Sequence, residues 1–336
     1  MKSGENRQHA GDWFVKKNDS MIYRNLGNTE LITAPVVVGG NVFGWTLDGK
    51  KSIAILDEAF DLGFRTIDTA NSYSYWAEGN VGGESEIIIG KWLKKWGDRD
   101  KVVLITKVGS AVGKGVVDIS EKQIPREVEN SLRRLQTDYI DLYLTHRDDE
   151  RTPVEETLAA YQKLIAAGKV RYIGASNISP SRLEESLNAA KKAALPKYQV
   201  LQPEYSLAER RYFEQELAPL CERESLGVIT YYPLASGFLS GKYRSEADLG
   251  KSARGPAVKK YLNERGGRIL ASMEEVAGKH KVSLAAVALA WQIHKLLITA
   301  PVASVTSSSQ LKAFTEAAEL SLSPGDMEKL DAASAW

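Results

Sequence analysis

A regular alternation between short apolar segments and longer amphipathic ones constrains the fold more than any other feature of the sequence. Eight segments rich in β-branched and other apolar residues are each followed by a segment with helical apolar spacing, directly or after a loop. The predicted strands span residues 36–38, 66–68, 102–107, 139–146, 170–176, 199–203, 227–231 and 298–302. Among the helices between them, apolar spacing predicts residues 84–96, 154–166 and about 269–278. This alternation predicts a parallel sheet, and eight units in one chain favour a closed (β/α)8 barrel over an open sheet.

Three further segments complete the predicted organisation. Residues 1–20 are polar and are expected to form an N-terminal extension, whereas residues 21–336 are expected to form a single domain. Two short runs within residues 21–32 flank Gly27 and Asn28, which predicts a β-hairpin before the barrel. Residues 235–268 form the longest irregular segment, and loops of this length at the carboxyl end of a barrel are usually functional.

Composition argues against several classes of protein. The 44 Lys and Arg residues nearly balance the 43 Asp and Glu residues, so neither nucleic acid nor an acidic membrane surface is an expected partner. The longest apolar segments, such as residues 284–291, are too short to span a bilayer. Cys221 is the single cysteine, which excludes an internal disulfide and leaves no partners for a metal cluster. We therefore expect a cytoplasmic protein without a metal site, in which Cys221 is a helix-core thiol.

Polar residues occur at the predicted ends of three consecutive strands. Asp68 ends the second strand, and Tyr73 follows in the next loop. In the third strand Lys107 shares a face with the apolar residues at 103 and 105, and in the fourth His146 shares a face with those at 140, 142 and 144. Since catalytic groups of such barrels lie at the carboxyl ends of the strands, these side chains are expected to meet.

The four residue types are chemically complementary. A phenol has a pKa of about 10, so Tyr73 can donate a proton near neutral pH only if a neighbouring cation favours the phenolate. Lys107 can supply that cation, Asp68 can hold the ammonium group, and His146 can orient a carbonyl by hydrogen bonding. Taken singly, each has a structural alternative: Asp68 as a loop cap, Lys107 as a solvated strand end, and His146 as a satisfied structural side chain.

Six motifs, in order, resemble the signatures of the aldo-keto reductase superfamily. They lie at residues 63–73, 105–107, 141–146, 174–177, 202–206 and 232–237, and the resemblance extends from Met21 to the C-terminus. It implies a reversible, NAD(P)H-dependent reduction of aldehydes or ketones to alcohols, in which hydride passes to the carbonyl carbon and Tyr73 protonates the oxygen. It also implies that Asp68, Tyr73, Lys107 and His146 form a catalytic tetrad.

The resemblance implies a cofactor site as well. Ser176, Asn177 and Gln202 match the positions that hold the nicotinamide carboxamide, and Tyr231 matches the aromatic residue on which the ring stacks. The alternative for Tyr231 is ordinary barrel packing. Ser240 and Lys242 match a loop that holds the pyrophosphate, and the sequence has no Gly-x-Gly-x-x-Gly turn of the Rossmann type. The remaining predicted cofactor contacts are Gly40, Asn41, Val42, Pro233, Leu234, Ser304, Thr306 and Gln310.

The sequence departs from the family pattern at the adenosine end of this site. Ser304 and Gln310 stand where many members carry a lysine and an arginine that bind the 2′-phosphate, and Phe314 stands where an asparagine is common. Hydroxyl and backbone amide groups can also bind phosphate, and Arg254 or Lys312 could supply a positive charge. We expect NADP(H) rather than NAD(H).

Aromatic residues are expected to cover the substrate pocket. Trp45, Tyr75 and Trp76, together with residues 109–117 and part of the long loop, would accept apolar or planar carbonyl compounds. The alternative is that these rings only pack a lid. A different kind of function, that of a cofactor-sensing regulatory subunit, is known for the potassium-channel β subunits of the superfamily. Those typically carry asparagine at the position of His146, so this histidine favours the enzyme. The sequence does not indicate an oligomeric state.

Overall fold

A computed structural model describes residues 21–110 and 115–336, so the predicted N-terminal extension lies outside the described residues. Eight parallel strands form a closed barrel in the order β10-β3-β4-β5-β6-β7-β8-β9, which confirms the predicted (β/α)8 architecture. These strands are β3 (Val37–Gly39), β4 (Thr66–Asp68), β5 (Val103–Val108), β6 (Ile140–Thr145), β7 (Val170–Ser176), β8 (Val200–Gln202), β9 (Gly227–Thr230) and β10 (Ile298–Ala303). Pairing between β10 and both β9 and β3 closes the barrel.

Helices surround the barrel. They are α1 (Gly49–Asp61), α2 (Glu84–Trp96), α3 (Gln123–Leu135), α4 (Val154–Ala166), α5 (Pro180–Ala193), α6 (Ala218–Arg223), α7 (Gly255–Val258), α8 (Glu264–His280), α9 (Leu284–Ile293), α10 (Ser308–Glu319) and α11 (Pro324–Ala333). None of the helices within residues 21–110 and 115–336 is long and apolar enough to cross a membrane.

Side-chain parity along the strands separates two apolar cores. The smaller core fills the barrel interior with Val37, Ile105, Leu142, Leu144, Val200, Ile229, Ala300 and Val302. The larger core lies between the strands and the helices, and Cys221 is buried there in α6. Because the interior is filled with aliphatic side chains, polar chemistry is confined to the ends of the strands.

A short antiparallel pair precedes the barrel. It consists of β1 (Arg24–Asn25) and β2 (Ile32–Thr33), which confirms the predicted hairpin but with a turn longer than Gly27 and Asn28 alone. Leu26 and Leu31 in this turn are buried with the barrel-interior residues. The hairpin therefore covers the amino-terminal end of the barrel, away from the carboxyl ends of the strands.

The long segment after β9 contains more structure than predicted. Single helical turns occur at Ala235–Ser240, Glu246–Lys251 and Lys259–Tyr261, with α7 between the last two. The helix predicted from residue 269 begins at Glu264, because Asn263 caps it by accepting a hydrogen bond from the backbone N–H of Gly266. The prediction of an irregular segment up to residue 268 was therefore wrong at its end.

Candidate active site

The carboxyl ends of the strands surround a cavity of about 960 Å³. Its lining includes Asp68, Tyr73 and His146 at one end and residues from the first turns of α10 at the other. A cavity of this size and polarity is large enough to hold a small molecule together with an extended cofactor. It is where the sequence predicts the site.

Lys107 connects two of the predicted catalytic residues. Its ammonium group is fully buried near the end of β5 and donates hydrogen bonds to Asp68 Oδ2 at 2.7 Å and to the Tyr73 hydroxyl at 2.7 Å. A third bond runs to the backbone carbonyl of Thr69 at 2.8 Å. All three protons of the ammonium group thus have acceptors, which fixes its position against the phenol.

Both carboxylate oxygens of Asp68 accept hydrogen bonds. Oδ2 accepts from Lys107 and from the Tyr73 hydroxyl at 3.1 Å, and Oδ1 accepts from the Gln202 amide at 2.8 Å. The carboxylate is 1% exposed, so its charge is compensated almost entirely by these neighbours. Gln202, predicted as a cofactor contact, is therefore also tied to the predicted catalytic residues.

The surroundings keep Tyr73 protonated. Burial, followed by the negative charge of Asp68, raises the pKa of the Tyr73 phenol well above its usual value near 10. Burial also lowers the pKa of Lys107, whereas the Asp68 carboxylate opposes that change. The predicted cation is in place, but the raised pKa keeps the Tyr73 phenol protonated at neutral pH.

His146 stands beside Tyr73 just after β6. The two rings meet edge to face, with 5.9 Å between their centroids. Burial, followed by the charges of Lys107 and Arg147, lowers the pKa of His146 well below 6.5. Its Nδ1 is buried and has no hydrogen-bond partner among the described residues. The imidazole is therefore neutral at physiological pH and can act as a hydrogen-bond donor or acceptor toward the cavity.

The residues predicted to hold a carboxamide form one hydrogen-bonded chain. The Tyr231 hydroxyl donates to Asn177 Oδ1 at 2.9 Å, and Asn177 Nδ2 donates to Ser176 Oγ at 3.0 Å and to the His146 carbonyl at 2.9 Å. Ser176 Oγ in turn donates to the Gln202 carbonyl at 2.8 Å. This chain joins the ends of β6, β7, β8 and β9 at the cavity wall, where its amide and hydroxyl groups match a planar amide in chemistry.

The loop after β9 has an unusual backbone. Tyr232, Ala235 and Ser236 all have φ between 47° and 58°, a left-handed conformation that is uncommon for residues other than glycine. Pro233, Leu234, Ser240 and Lys242 of this loop line the cavity. Several left-handed residues in one loop at a cavity wall are typical of a binding loop.

The far end of the cavity lies at the amino terminus of α10. Ser304, Thr306 and Gln310 line it, and the Gln310 side chain accepts from the Thr306 N–H at 2.9 Å. Asn41 Oδ1 accepts from Ser304 Oγ at 2.7 Å and from Arg254 Nη2 at 3.1 Å. A helix amino terminus, hydroxyl groups and a guanidinium group thus come together, which suits a phosphate.

Other residues of the predicted adenosine end are placed differently. Lys312 is exposed, pairs with Glu316 at 3.5 Å and does not line the cavity, whereas Arg254 does. Phe314 also lines it, with its ring 5.5 Å from that of Phe64 in an edge-to-face contact. Of the two cations considered for a phosphate, the structure brings only Arg254 to the site.

Two of the predicted contacts lie behind the cavity wall. Trp45 does not line the cavity; its ring packs edge to face on Trp76 with 5.6 Å between centroids, and the Arg254 guanidinium lies 5.5 Å from it. Gly40 is also set back, because its carbonyl accepts from Ser85 Oγ at 2.8 Å. Val42, Tyr75 and Trp76 do line the cavity. Sequence adjacency could not distinguish a ring on the wall from one behind it.

The loop predicted to cover the pocket at residues 109–117 is only partly described. Ser110 lines the cavity, and residues 111–114 lie outside the described residues. Sequence analysis assigned no role to Arg147, Glu204 and Tyr232, which also line the cavity, although Glu204 and Tyr232 lie in the motifs at 202–206 and 232–237. Each directly follows a predicted site residue or the end of a predicted strand, and this position in the sequence could have indicated that it lines the cavity.

Comparison with known proteins agrees with this geometry. The model of the aldo/keto reductase family matches residues 35–335. An oxidoreductase of Bacillus subtilis, described as uncharacterized, is 36% identical over 90% of this chain and 92% of its own length. An aldo-keto reductase of Alternaria alternata is 33% identical over 92% and 90%, respectively. A rice protein named "Probable voltage-gated potassium channel subunit beta" is 32% identical over 93% and 96%.

Fold and cavity together define a barrel enzyme with its site at the carboxyl ends of the strands. The chain belongs to the aldo/keto reductase family and is an oxidoreductase. Members of this family generally use NAD(P)H and reduce carbonyl groups of small molecules. The hydrogen-bonded amide chain and the helix terminus described above fit such a cofactor at its nicotinamide and phosphate ends.

Proposed function

We propose that this enzyme reduces aldehydes or ketones with NADPH, and that Tyr73 is the proton donor. The observation that carries the proposal is the position of the buried Lys107 ammonium, 2.7 Å from both the Tyr73 hydroxyl and Asp68, at the end of a cavity that His146 also lines. A phenol, a buried cation and a compensating carboxylate in this arrangement serve proton transfer to an oxygen atom.

The bound nicotinamide would supply a hydride to the carbonyl carbon. Tyr73 gives its hydroxyl proton to the carbonyl oxygen as negative charge develops there. Lys107 keeps its hydrogen bond to the tyrosine oxygen and stabilises the phenolate that the transfer leaves, while Asp68 keeps the lysine charged. His146, as a neutral imidazole, donates a hydrogen bond that orients the carbonyl oxygen toward Tyr73.

The chain's own residues support the placement of the cofactor. Ser176, Asn177 and Gln202 offer hydroxyl and amide groups to the carboxamide, and Tyr231 offers a ring for stacking. Among the other predicted contacts, Asn41, Val42, Ser240 and Lys242 line the cavity between the two ends, whereas Gly40 lies behind the wall. We infer the preference for NADPH because Arg254, Thr306, Gln310 and the amino terminus of α10 can bind its 2′-phosphate. They would take the place of the lysine and arginine that many members of the family use.

The compartment and extent of the enzyme are part of the proposal. We expect it to act in the cytoplasm, because a chain with the single cysteine Cys221 forms no internal disulfide, as is usual for proteins of a reducing compartment. Residues 21–336 are proposed to form a single functional domain, with residues 1–20 as an extension.

The test compares the wild-type enzyme with Tyr73→Phe by steady-state oxidation of NADPH and of NADH, using aromatic and aliphatic aldehydes. We expect kcat to fall roughly 10²- to 10⁴-fold in the variant, because the proton donor is lost while the ring is kept. A kcat/KM higher with NADPH than with NADH would support the phosphate site. Fluorescence titration of each cofactor shows whether the variant still binds it.

Two outcomes would contradict the proposal. Unchanged turnover in Tyr73→Phe would remove this residue as the donor. Tight cofactor binding without turnover of any carbonyl would favour the second candidate, a cofactor-sensing subunit, which the rice relative's name brings into consideration.

A further inference from the structure

Arg147 lies at the reaction end of the cavity. It directly follows His146 after β6 and lines the cavity wall. Its positive charge contributes to the lowered pKa of His146, and it opposes the rise in the pKa of Tyr231 that burial causes. The charge of the guanidinium group therefore acts on His146 and on Tyr231, the predicted carbonyl-orienting and nicotinamide-stacking residues.

The charge of Arg147 is unpaired within residues 21–110 and 115–336, where its side chain makes no ion pair or hydrogen bond. The acidic residues that follow it in sequence are already engaged. Asp148 pairs with Arg182 at 3.0 Å, and Asp149 pairs with Arg151 at 2.7 Å. An arginine that lines a cavity without an internal acidic partner is available to an anion in that cavity.

Glu204 is the other charged side chain to consider at this end, and it does not neutralise Arg147. Burial, followed by the negative charge of Glu209, raises the pKa of Glu204, and Lys260 opposes this. The charged residues that act on Glu204 are thus Glu209 and Lys260, and not Arg147. Arg147 and Glu204 form no salt bridge, so an anion beside Arg147 would not displace an existing pair.

The anion that Arg147 would meet belongs to the substrate. The groups suited to cofactor phosphates, which are Arg254, Lys242 and the first turn of α10, lie on other elements of the cavity wall than Arg147. Arg147 instead neighbours His146 and Tyr231, which are expected to contact the carbonyl and the nicotinamide. A charged group carried by the carbonyl compound would therefore lie on the side of the cavity that Arg147 lines.

We propose that Arg147 forms a subsite for a carboxylate, so that the enzyme prefers carbonyl substrates that carry one. This inference rests on the proposed carbonyl reduction. The planar guanidinium group matches a carboxylate through two parallel hydrogen bonds. The exposed rings of Tyr75, Trp76 and Tyr232 at the same wall favour a planar body between the carbonyl and the carboxylate.

The test uses two aldehydes of nearly the same planar shape. 4-Formylbenzoate carries a carboxylate, and 4-nitrobenzaldehyde carries a neutral nitro group in its place. The measured quantity is the ratio of their kcat/KM values with NADPH, in the wild type and in Arg147→Gln. We expect this ratio to fall about tenfold in the variant, the usual effect of losing one charge-assisted contact in a partly exposed site. Because both substrates meet the same variant, their different reactivity cancels.

Two further variants sharpen the comparison. Arg147→Lys keeps the charge but not the fork of donors, so the ratio should lie between those of the wild type and Arg147→Gln. Arg126→Gln removes an exposed arginine of α3 outside the cavity, and its ratio should equal that of the wild type. Raising the salt concentration from about 0.02 M to about 0.5 M should lower the wild-type ratio by screening.

The outcomes separate this inference from the proposed function. If the wild type reduces 4-nitrobenzaldehyde and the ratio is the same in Arg147→Gln and insensitive to salt, carbonyl reduction stands and the carboxylate subsite is wrong. If the wild type oxidises neither NADPH nor NADH with these aldehydes or any other carbonyl compound tested, the proposed function fails and the subsite falls with it. If Arg147→Gln does not fold, Arg147→Lys and the salt dependence decide the question.

Discussion

At the scale of single residues, the imidazole of His146 links the site to stability. Burial and the charges of Lys107 and Arg147 hold the pKa of His146 well below 6.5 in the folded protein. In the unfolded chain the group regains its ordinary pKa and takes up a proton as the pH falls below about 6.5. The unfolded state then binds more protons than the folded state, so stability is lost as the pH falls.

We therefore predict a pH-dependent difference between the wild type and His146→Gln. Between about pH 7 and pH 5 the free energy of unfolding of the wild type should fall relative to that of the variant, because glutamine cannot take up the proton. Urea unfolding at several pH values measures this difference. The other three histidines, His9, His280 and His294, are present in both proteins, so their contributions are common to the two. A difference that stays constant with pH would show that His146 is not held neutral.

Residue types and strand parity were enough to predict which side chains meet at the site. Asp68 and Lys107 lie at or near strand ends with a fixed alternation, so their convergence follows from the barrel. Arg147 and Tyr232 lie in loops, and Tyr232 has a φ of 54° that no periodicity indicates. The protonation of Tyr73 was also beyond the sequence, because it depends on the depth of burial as well as on Lys107.

At the scale of elements, the first turn of α2 holds the ends of three strands. Ser85 Oγ donates to the Gly40 carbonyl after β3 and accepts from Thr69 Oγ1 after β4, both at 2.8 Å. Glu86, which is fully buried, accepts from Thr106 Oγ1 of β5 at 2.6 Å and from Arg134 Nε of α3 at 2.6 Å. Since β4 ends at Asp68 and β5 contains Lys107, this turn supports the geometry of the site.

We predict that Glu86→Gln destabilises the protein by about 2 to 3 kcal/mol. The substitution keeps an acceptor for Thr106 but leaves the Arg134 charge, 24% exposed, without its buried partner. The matched control is Glu84→Gln in the same turn, whose carboxylate accepts from the Val81 and Gly82 N–H groups nearer the surface. Urea unfolding of both variants measures the effect. Equal losses in the two would argue against a special role for the buried pair.

Elements with strong periodicity were predicted with their observed bounds, and others were not. Glu84–Trp96, Val154–Ala166 and Val170–Ser176 agree with prediction because their apolar residues repeat at a clear period. The start of α8 was predicted too late because Gly266 and the next glycine suggested a loop. Gly266 is instead needed for packing, since a Cβ there would lie 1.9 Å from the Tyr261 carbonyl oxygen. The helix Pro324–Ala333 was not predicted, since Met327 and Leu330 are its only large apolar residues.

At the scale of the whole molecule, the hairpin that stabilises the barrel and the cavity of the candidate active site lie at opposite ends of the strands. The hairpin closes the amino-terminal end with Leu26 and Leu31, which are 0% and 2% exposed. Its turn is fitted tightly, because Gly27 has a φ of 62° and a Cβ there would lie 2.3 Å from the Gln199 carbonyl oxygen. Arg24 adds hydrogen bonds to the carbonyls of Ile298 at 2.9 Å and Ile293 at 2.8 Å.

This separation predicts that Leu26→Ala weakens the fold and spares the chemistry. Removing a fully buried side chain from the barrel interior should cost about 2 to 5 kcal/mol of unfolding free energy. Ile22→Ala, at a side chain 69% exposed, should cost little. Below the temperature at which Leu26→Ala unfolds, its kcat/KM for aldehyde reduction should equal that of the wild type, because the cavity lies at the other end of the strands. Thermal unfolding followed by circular dichroism measures the stability, and steady-state rates measure kcat/KM. A large loss of kcat/KM in the folded variant would show that the hairpin acts on the site through the barrel interior.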